Sequence, residues 1–254
     1  MTIRQSRVIK RLYDYRAVLF DLDGVLTPTA VLHRKAWNTL FTAVLPLSVD
    51  RYTEADYFMY VDGKPRYDGV AAVLRSRGIE LPWGSPTDSP DVRSVCGYGN
   101  RKNEEFERML HDGGIAPYDD VKDVLIHLRA QGLRMGVVSS SRNAREVLAA
   151  AGIERYFDEV VDAAAAVEHH LQGKPAPDTY VFGARQLSVH ADQTVVVEDA
   201  LSGVASGAAG GFGLVIGVDR GAGGEALREA GADVVVDALH ELLALSQVSA
   251  AGST

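Results

Sequence analysis

Three features of the sequence predict an α/β protein, a doubly wound Rossmann-like parallel sheet core with an inserted helical segment. A short apolar run, Ala17–Phe20, reads as a buried strand and ends in Asp21-Leu22-Asp23-Gly24. Beyond residue 114, strand-like apolar runs alternate with helix-like segments, the order a parallel sheet requires. Between these regions, residues 30–113 carry helical patterns and no continuous buried strand. The expected organisation is a core built from residues 1–29 and 114–254, interrupted by a helical domain at 30–113.

Composition narrows the class. The 254 residues are 46% hydrophobic, enough for one large core and a smaller insert. A net charge of −8 argues against a nucleic-acid-binding face. The single cysteine, Cys96, rules out an internal disulfide and fits a reducing compartment. Arg4, Arg7, Lys10 and Arg11 precede no apolar segment of signal-peptide type, and no apolar run reaches the roughly 18 residues of a membrane span. The expectation is a soluble, cytoplasmic, monomeric protein with no membrane or nucleic-acid partner, and with residues 1–15 as a polar extension.

Taken in order, the first strand is followed by a helix whose apolar positions Val31, Leu32, Trp37, Leu40, Phe41 and Val44 recur at three- and four-residue spacing. Residues 70–74 and 103–110 are also helical in pattern, with Pro82, Pro86 and Pro90 marking a loop between them. Val121, Val124, Leu125 and Leu128 define one helix face, and 133–138 is a buried strand. Residues 143–151 form a helix ending at Gly152, a C-terminal cap position. A short strand at 159–161, a helix at 179–187 and a strand at 194–197 follow. Strands at 213–218 and 233–236 flank a helix at 225–230.

Four strand-end motifs carry chemistry. Asp21 and Asp23 stand at the C-terminal end of the first strand, the edge where open α/β sheets bind ligands. Two carboxylates about 4 Å apart repel by about 4 kcal/mol at an effective dielectric near 20. A divalent cation with oxygen ligands, such as Mg²⁺, offsets this. A carboxylate is also able to attack phosphorus. Asp-x-Asp-Gly alone suits a solvated turn equally well. Ser139-Ser140-Ser141-Arg142-Asn143 places hydroxyls and backbone N–H groups before a helix, as a phosphate site or an ordinary N-cap does. Gly173-Lys174-Pro175 presents a compact ammonium, and its Lys-Pro bond is a candidate for the cis form. Glu198-Asp199 ends a β-branched strand as either metal ligands or an acidic N-cap.

Together, in this order, these motifs resemble the haloacid dehalogenase superfamily over about residues 16–240. That resemblance implies an enzyme with Asp21 as nucleophile and Asp23 as acid and base. It implies that Ser139, with Ser140, and Lys174 hold the transferring phosphoryl group. Mg²⁺ would be bound by Asp21, the Asp23 carbonyl and Asp199, with Glu198 beside that shell. Asp23 favours phosphoryl transfer over dehalogenation, and the insert matches the family's helical cap.

Within the superfamily, Asp21 to Ala30, His33, Trp37 and Gly63-Lys64-Pro65-Arg66 are similar to the β-phosphoglucomutase-like subfamily. The resemblance implies a sugar-phosphate substrate gripped by Thr29, His33, Arg66, Lys102, Arg142 and Asn143. His33 would hold Asp23, and Arg66 and Arg142 would take the phosphate that is not being transferred. Pro28, Asp62 and the Pro82–Pro90 loop depart from the subfamily pattern and bear on the identity of the sugar more than on the chemistry; a sugar-phosphate phosphatase and a non-catalytic sugar-phosphate sensor are the alternative readings. His169-His170 reads as a surface loop, Cys96 as buried, and Gly207 to Gly213 as a helix–strand turn, because a dinucleotide fingerprint follows a strand.

Overall fold

The computed structural model describes residues 12–244. Six strands form one parallel sheet: β1 (Ala17–Phe20), β2 (Arg134–Val138), β3 (Glu159–Val161), β4 (Thr194–Glu198), β5 (Leu214–Val218) and β6 (Val234–Val236). Their order is β3-β2-β1-β4-β5-β6. The chain leaves β1 toward β2 on one side and returns to β4 on the other. β1 therefore sits at the switch point where such sheets open a crevice at their carboxyl ends. Phe20 is in register with Val137 and Val197, which brings the ends of β1, β2 and β4 level.

Both faces of the sheet are covered, so its strands are mostly apolar, with Arg134, Glu159 and Glu198 at strand ends. On one face, Val18, Phe20, Val137, Val197 and Ile216 pack with Val124, Leu125 and Leu128 of α5 (Val121–Ala130) and Leu148 of α6 (Ala144–Ala150). On the other, Leu19, Val138, Val196 and Val215 pack with Tyr180 of α8 (Asp178–Gln186), Val204 of α9 (Leu201–Ala209) and Leu227 of α10 (Gly224–Ala230).

The segment after β1 is entirely helical in its regular structure. It holds α1 (Thr29–Val44), a single turn α2 (Glu54–Asp56) running into a π-helical turn at Tyr57–Val61, α3 (Arg66–Ser76) and α4 (Val95–Gly113). Trp37, Phe41, Tyr57, Val70, Leu74 and Val95 give it a hydrophobic core of its own. The capping box of Thr53 and Asp56 starts the short turn, and Arg77 pairs with Asp56 at 2.6 Å.

Some elements differ from expectation. Leu12 and Tyr15, expected in a polar extension, are buried against the core, and the Tyr15 hydroxyl donates to the Gly213 carbonyl at 3.1 Å. The four arginines and lysines before them lie outside the described residues. Four alanines, residues 163 to 166, open α7 (Ala163–Glu168), capped by Asp162, and a last short helix, α11 (Glu241–Ala244), follows β6. Cys96 is buried, the two adjacent histidines are exposed, and the Lys174-Pro175 bond is cis.

Candidate active site

The ends of β1, β2 and β4 and the loop before α8 meet at one buried cluster. Lys174 Nζ lies 2.5 Å from Asp21 Oδ1 and 2.6 Å from Glu198 Oε1, and donates a third bond to the Val138 carbonyl. Glu198 is wholly buried and saturated. Its Oε1 also accepts from the Tyr180 hydroxyl, and its Oε2 accepts the backbone N–H groups of Asp199 and Ala200. Burial acts against the Lys174 ammonium, but the Asp21 and Glu198 carboxylates hold its pKa above the usual value. One lysine thus serves a site with several acids.

The surplus charge is visible in the acids. Burial raises Asp21 well above the usual carboxylate range against the pull of Lys174, and Glu198 and Asp23 add to the rise. Burial also raises Asp199, and repulsion from Asp62 and then Asp21 adds to the rise. Asp21, Glu198 and Asp199 bring one carboxylate oxygen each within 4.8 Å of one another. This all-oxygen donor set suits a hard cation such as Mg²⁺, which would relieve the repulsion. Because the Glu198 oxygens are already engaged, Asp21 and Asp199 are the acids facing that position. Gly24 makes the approach possible: its φ is +95°, and an added Cβ would stand 1.9 Å from Asp199 Oδ2.

Asp23 occupies a different environment. Its Oδ1 accepts from the Thr29 hydroxyl at 2.5 Å, and Ser139 Oγ lies 3.5 Å from Oδ2. His33 Nε2 approaches Oδ1 at 3.3 Å, too obliquely for a formed hydrogen bond. Burial pushes the Asp23 carboxyl up, but His33, Thr29 and Lys102 outweigh it and bring its pKa down to about 2. Lys102, expected on substrate, is buried and lies 2.5 Å from His33 Nδ1, with the Phe106 ring centroid 4.7 Å away. Burial and then Arg66 push the Lys102 ammonium well below its usual value. Burial and then Lys102 lower His33.

The helical segment closes over the cluster. Ser140 Oγ donates to the Gly63 carbonyl at 2.8 Å, and Ser202 Oγ donates to the Asp62 carbonyl at 3.0 Å. The Ser140 hydroxyl, expected at the phosphate, is thus committed to this contact. The cavity between them is lined by Asp21, Asp23, His33, Arg66, Lys102 and Asp199, among others. Arg142 lies outside it, lining with Arg66 an adjoining cavity of about 610 Å³. Asn143 Nδ2 donates to Asn103 Oδ1 at 3.0 Å instead of facing the cavity directly.

Four participants were not singled out as site residues from sequence. Ser141 and Tyr57 line the cavity; Asp62 also lines it, and burial raises its pKa to about 6. Asn103 joins Arg66 to Asn143. The Ser141 hydroxyl was within reach of a sequence reading, since it belongs to the serine motif. Tyr57 and Asn103 carry no local signal, because their positions depend on how the helices pack.

A buried carboxylate at a switch point, a lysine between two acids and a second acid held apart define a phosphoryl-transfer type of site on a Rossmann-like sheet. The model of the haloacid dehalogenase-like hydrolase family matches residues 15–211. The chain belongs to that family and is an enzyme. A β-phosphoglucomutase of Mycobacterium bovis is 48% identical over 94% of this chain and 95% of its own length. The fructose-1-phosphate phosphatase YqaB of Escherichia coli is 30% identical over 79% of this chain and 95% of its own. The crystal structure of a β-phosphoglucomutase from Clostridium difficile superposes with a TM-score of 0.73 over 92% of this chain and 93% of that one, at 24% identity, a likeness of fold. Among the described residues, no helix is long and apolar enough to cross a membrane.

Proposed function

We propose that this chain is a Mg²⁺-dependent sugar phosphomutase that converts β-glucose 1-phosphate to glucose 6-phosphate through an aspartyl-phosphate on Asp21. Residues 30–113 act as the cap that shuts the site. The observation that carries this reading is that Asp21, bonded to Lys174, and Arg66, tied to Asn143 through Asn103, line one cavity, which we read as seats for two phosphates. A mutase must hold a bisphosphorylated intermediate in either orientation, so the idle phosphate needs its own cation. The mycobacterial relative, 48% identical over nearly the whole chain, supports the choice of sugar.

In this reading Asp21 attacks the phosphorus while Lys174 neutralises the nucleophile and the phosphoryl oxygens. Asp23, ionised at neutral pH, takes the proton of the sugar hydroxyl that attacks the aspartyl-phosphate and returns that proton to the sugar oxygen that departs when Asp21 attacks the bisphosphate. Thr29 and His33 hold it away from Asp21. Asp21, Asp199 and the Asp23 carbonyl would hold Mg²⁺, while Glu198 orients Lys174. The ion would supply charge stabilisation to the equatorial phosphoryl oxygens. The hydrogen bonds from Ser140 and Ser202 keep the cap shut and water away from the aspartyl-phosphate.

The phosphatase relative favours a second reading, in which water takes the phosphoryl group. A coupled assay separates the two. With β-glucose 1-phosphate, Mg²⁺ and a trace of glucose 1,6-bisphosphate, a mutase forms glucose 6-phosphate faster than free phosphate. Phosphate release without glucose 6-phosphate would establish the phosphatase instead.

A further inference from the structure

We infer that Asn103 is a positioning residue that aims the Arg66 guanidinium at the second phosphate through a neutral acceptor. This rests on the two-seat reading above and assigns a residue on which it depends. Arg66 Nη2 donates to Asn103 Oδ1 at 2.6 Å, and Asn143 Nδ2 donates to the same oxygen at 3.0 Å. Asn103 Nδ2 donates to Glu107 Oε1 at 2.6 Å, one turn further along α4. These partners fix the amide's orientation, since a guanidinium only donates and a carboxylate only accepts. A single carbonyl oxygen therefore ties an arginine of the helical segment that lines the cavity to an asparagine that follows β2. Gly99, one turn before Asn103, leaves the space: an added Cβ would stand 3.3 Å from Arg66 Cδ and 2.6 Å from the Tyr67 ring.

The neutrality of the acceptor is the functional point. Arg66 is half-buried and faces the charge of Arg142. The Arg66 guanidinium stays free of a competing anion, and open to an incoming phosphate, only if the group that orients it carries no negative charge. An aspartate at position 103 would form a charge-assisted bidentate pair and compete with a phosphate for the same fork. Asparagine orients the guanidinium, while the compensating carboxylate, Glu107, is kept one residue away.

The test compares Asn103→Ala, Asn103→Asp and the double variant Asn103→Asp/Glu107→Gln in the full chain with Mg²⁺. KM for glucose 1,6-bisphosphate is read separately from kcat. The double variant preserves every hydrogen bond of the network and moves only the negative charge, from Glu107 onto the atom that touches Arg66. A scaffold role would be satisfied by that exchange. The inference expects KM to rise about tenfold or more in all three variants with kcat within about threefold, a tenfold change being about 1.4 kcal/mol. Unchanged KM in Asn103→Ala, or recovery of wild-type KM in the double variant, would overturn it. Wild type that does not prefer glucose 1,6-bisphosphate to acetyl phosphate, which has no second phosphate, would remove the second seat and the role of Asn103 with it. A wild-type preference shared undiminished by the variants would overturn the role of Asn103 alone.

Discussion

At the residue scale, the site is defined by how two aspartates two positions apart are treated differently. Asp21 is buried against Lys174 among other acids and its pKa is raised, while Asp23, held by Thr29 and approached by His33, is lowered to about 2. In the proposed mechanism, Asp21→Asn retains no turnover because it removes the nucleophile. Asp23→Asn loses about 10²–10⁴-fold in kcat, the contribution of a positioned acid and base. Steady-state assay of the two variants checks both. Asp199 offers a separate prediction. Without metal, Asp199→Asn relieves like-charge repulsion at a buried site, so its melting temperature should exceed that of wild type. Mg²⁺ should then stabilise wild type, by about 2.7 kcal/mol at a hundredfold excess over Kd, and leave the variant nearly unchanged. Thermal melts with and without Mg²⁺ read this directly.

At the scale of elements, the segment from α2 to the turn at Gly63 links stability of the insert to closure. Asp56 is bonded by Arg77 and by the Thr53 hydroxyl and backbone N–H, and Arg77, the largest influence, holds its carboxyl below the usual value. A lowered pKa means that this contribution is present above the unfolded value near 4 and is lost as pH falls through the folded value. Asp56→Asn should therefore lower the melting temperature at pH 7, and the gap from wild type should narrow below about pH 4. Gly63 sits at φ +68°, and an added Cβ would stand 2.2 Å from Ser202 Oγ. Gly63→Val is expected to hold the cap open, lowering kcat/KM for the sugar phosphate more than it lowers the melting temperature. Equal kcat/KM in wild type and variant would remove closure at this loop from the account.

At the scale of the whole molecule, the sheet was legible because its strands are buried on both faces. Runs such as Val195-Val196-Val197 stand out as continuous apolar tracts, and the edges of the expected strands differ from the observed ones by at most a residue, whereas α3 and α4 extend well beyond the expected 70–74 and 103–110. The turns around Tyr57 were not legible, since a π-helical turn interrupts the regular spacing. In the site, every strand-end acid and Lys174 was readable from its motif. The destination of the Ser140 hydroxyl, the place of Asp62 in the cavity and the link through Asn103 were not. They arise where the helical segment meets the loops at the sheet's carboxyl edge, between residues as much as 140 positions apart. In the proposed mechanism the phosphoryl group passes through Asp21. Acid-quenching the enzyme during turnover and reducing it with borohydride converts an aspartyl-phosphate to homoserine, which peptide mass spectrometry locates. Homoserine is expected at position 21 and absent from Asp21→Asn; homoserine at position 23, or none in an enzyme caught turning over, would rule out Asp21 as the carrier.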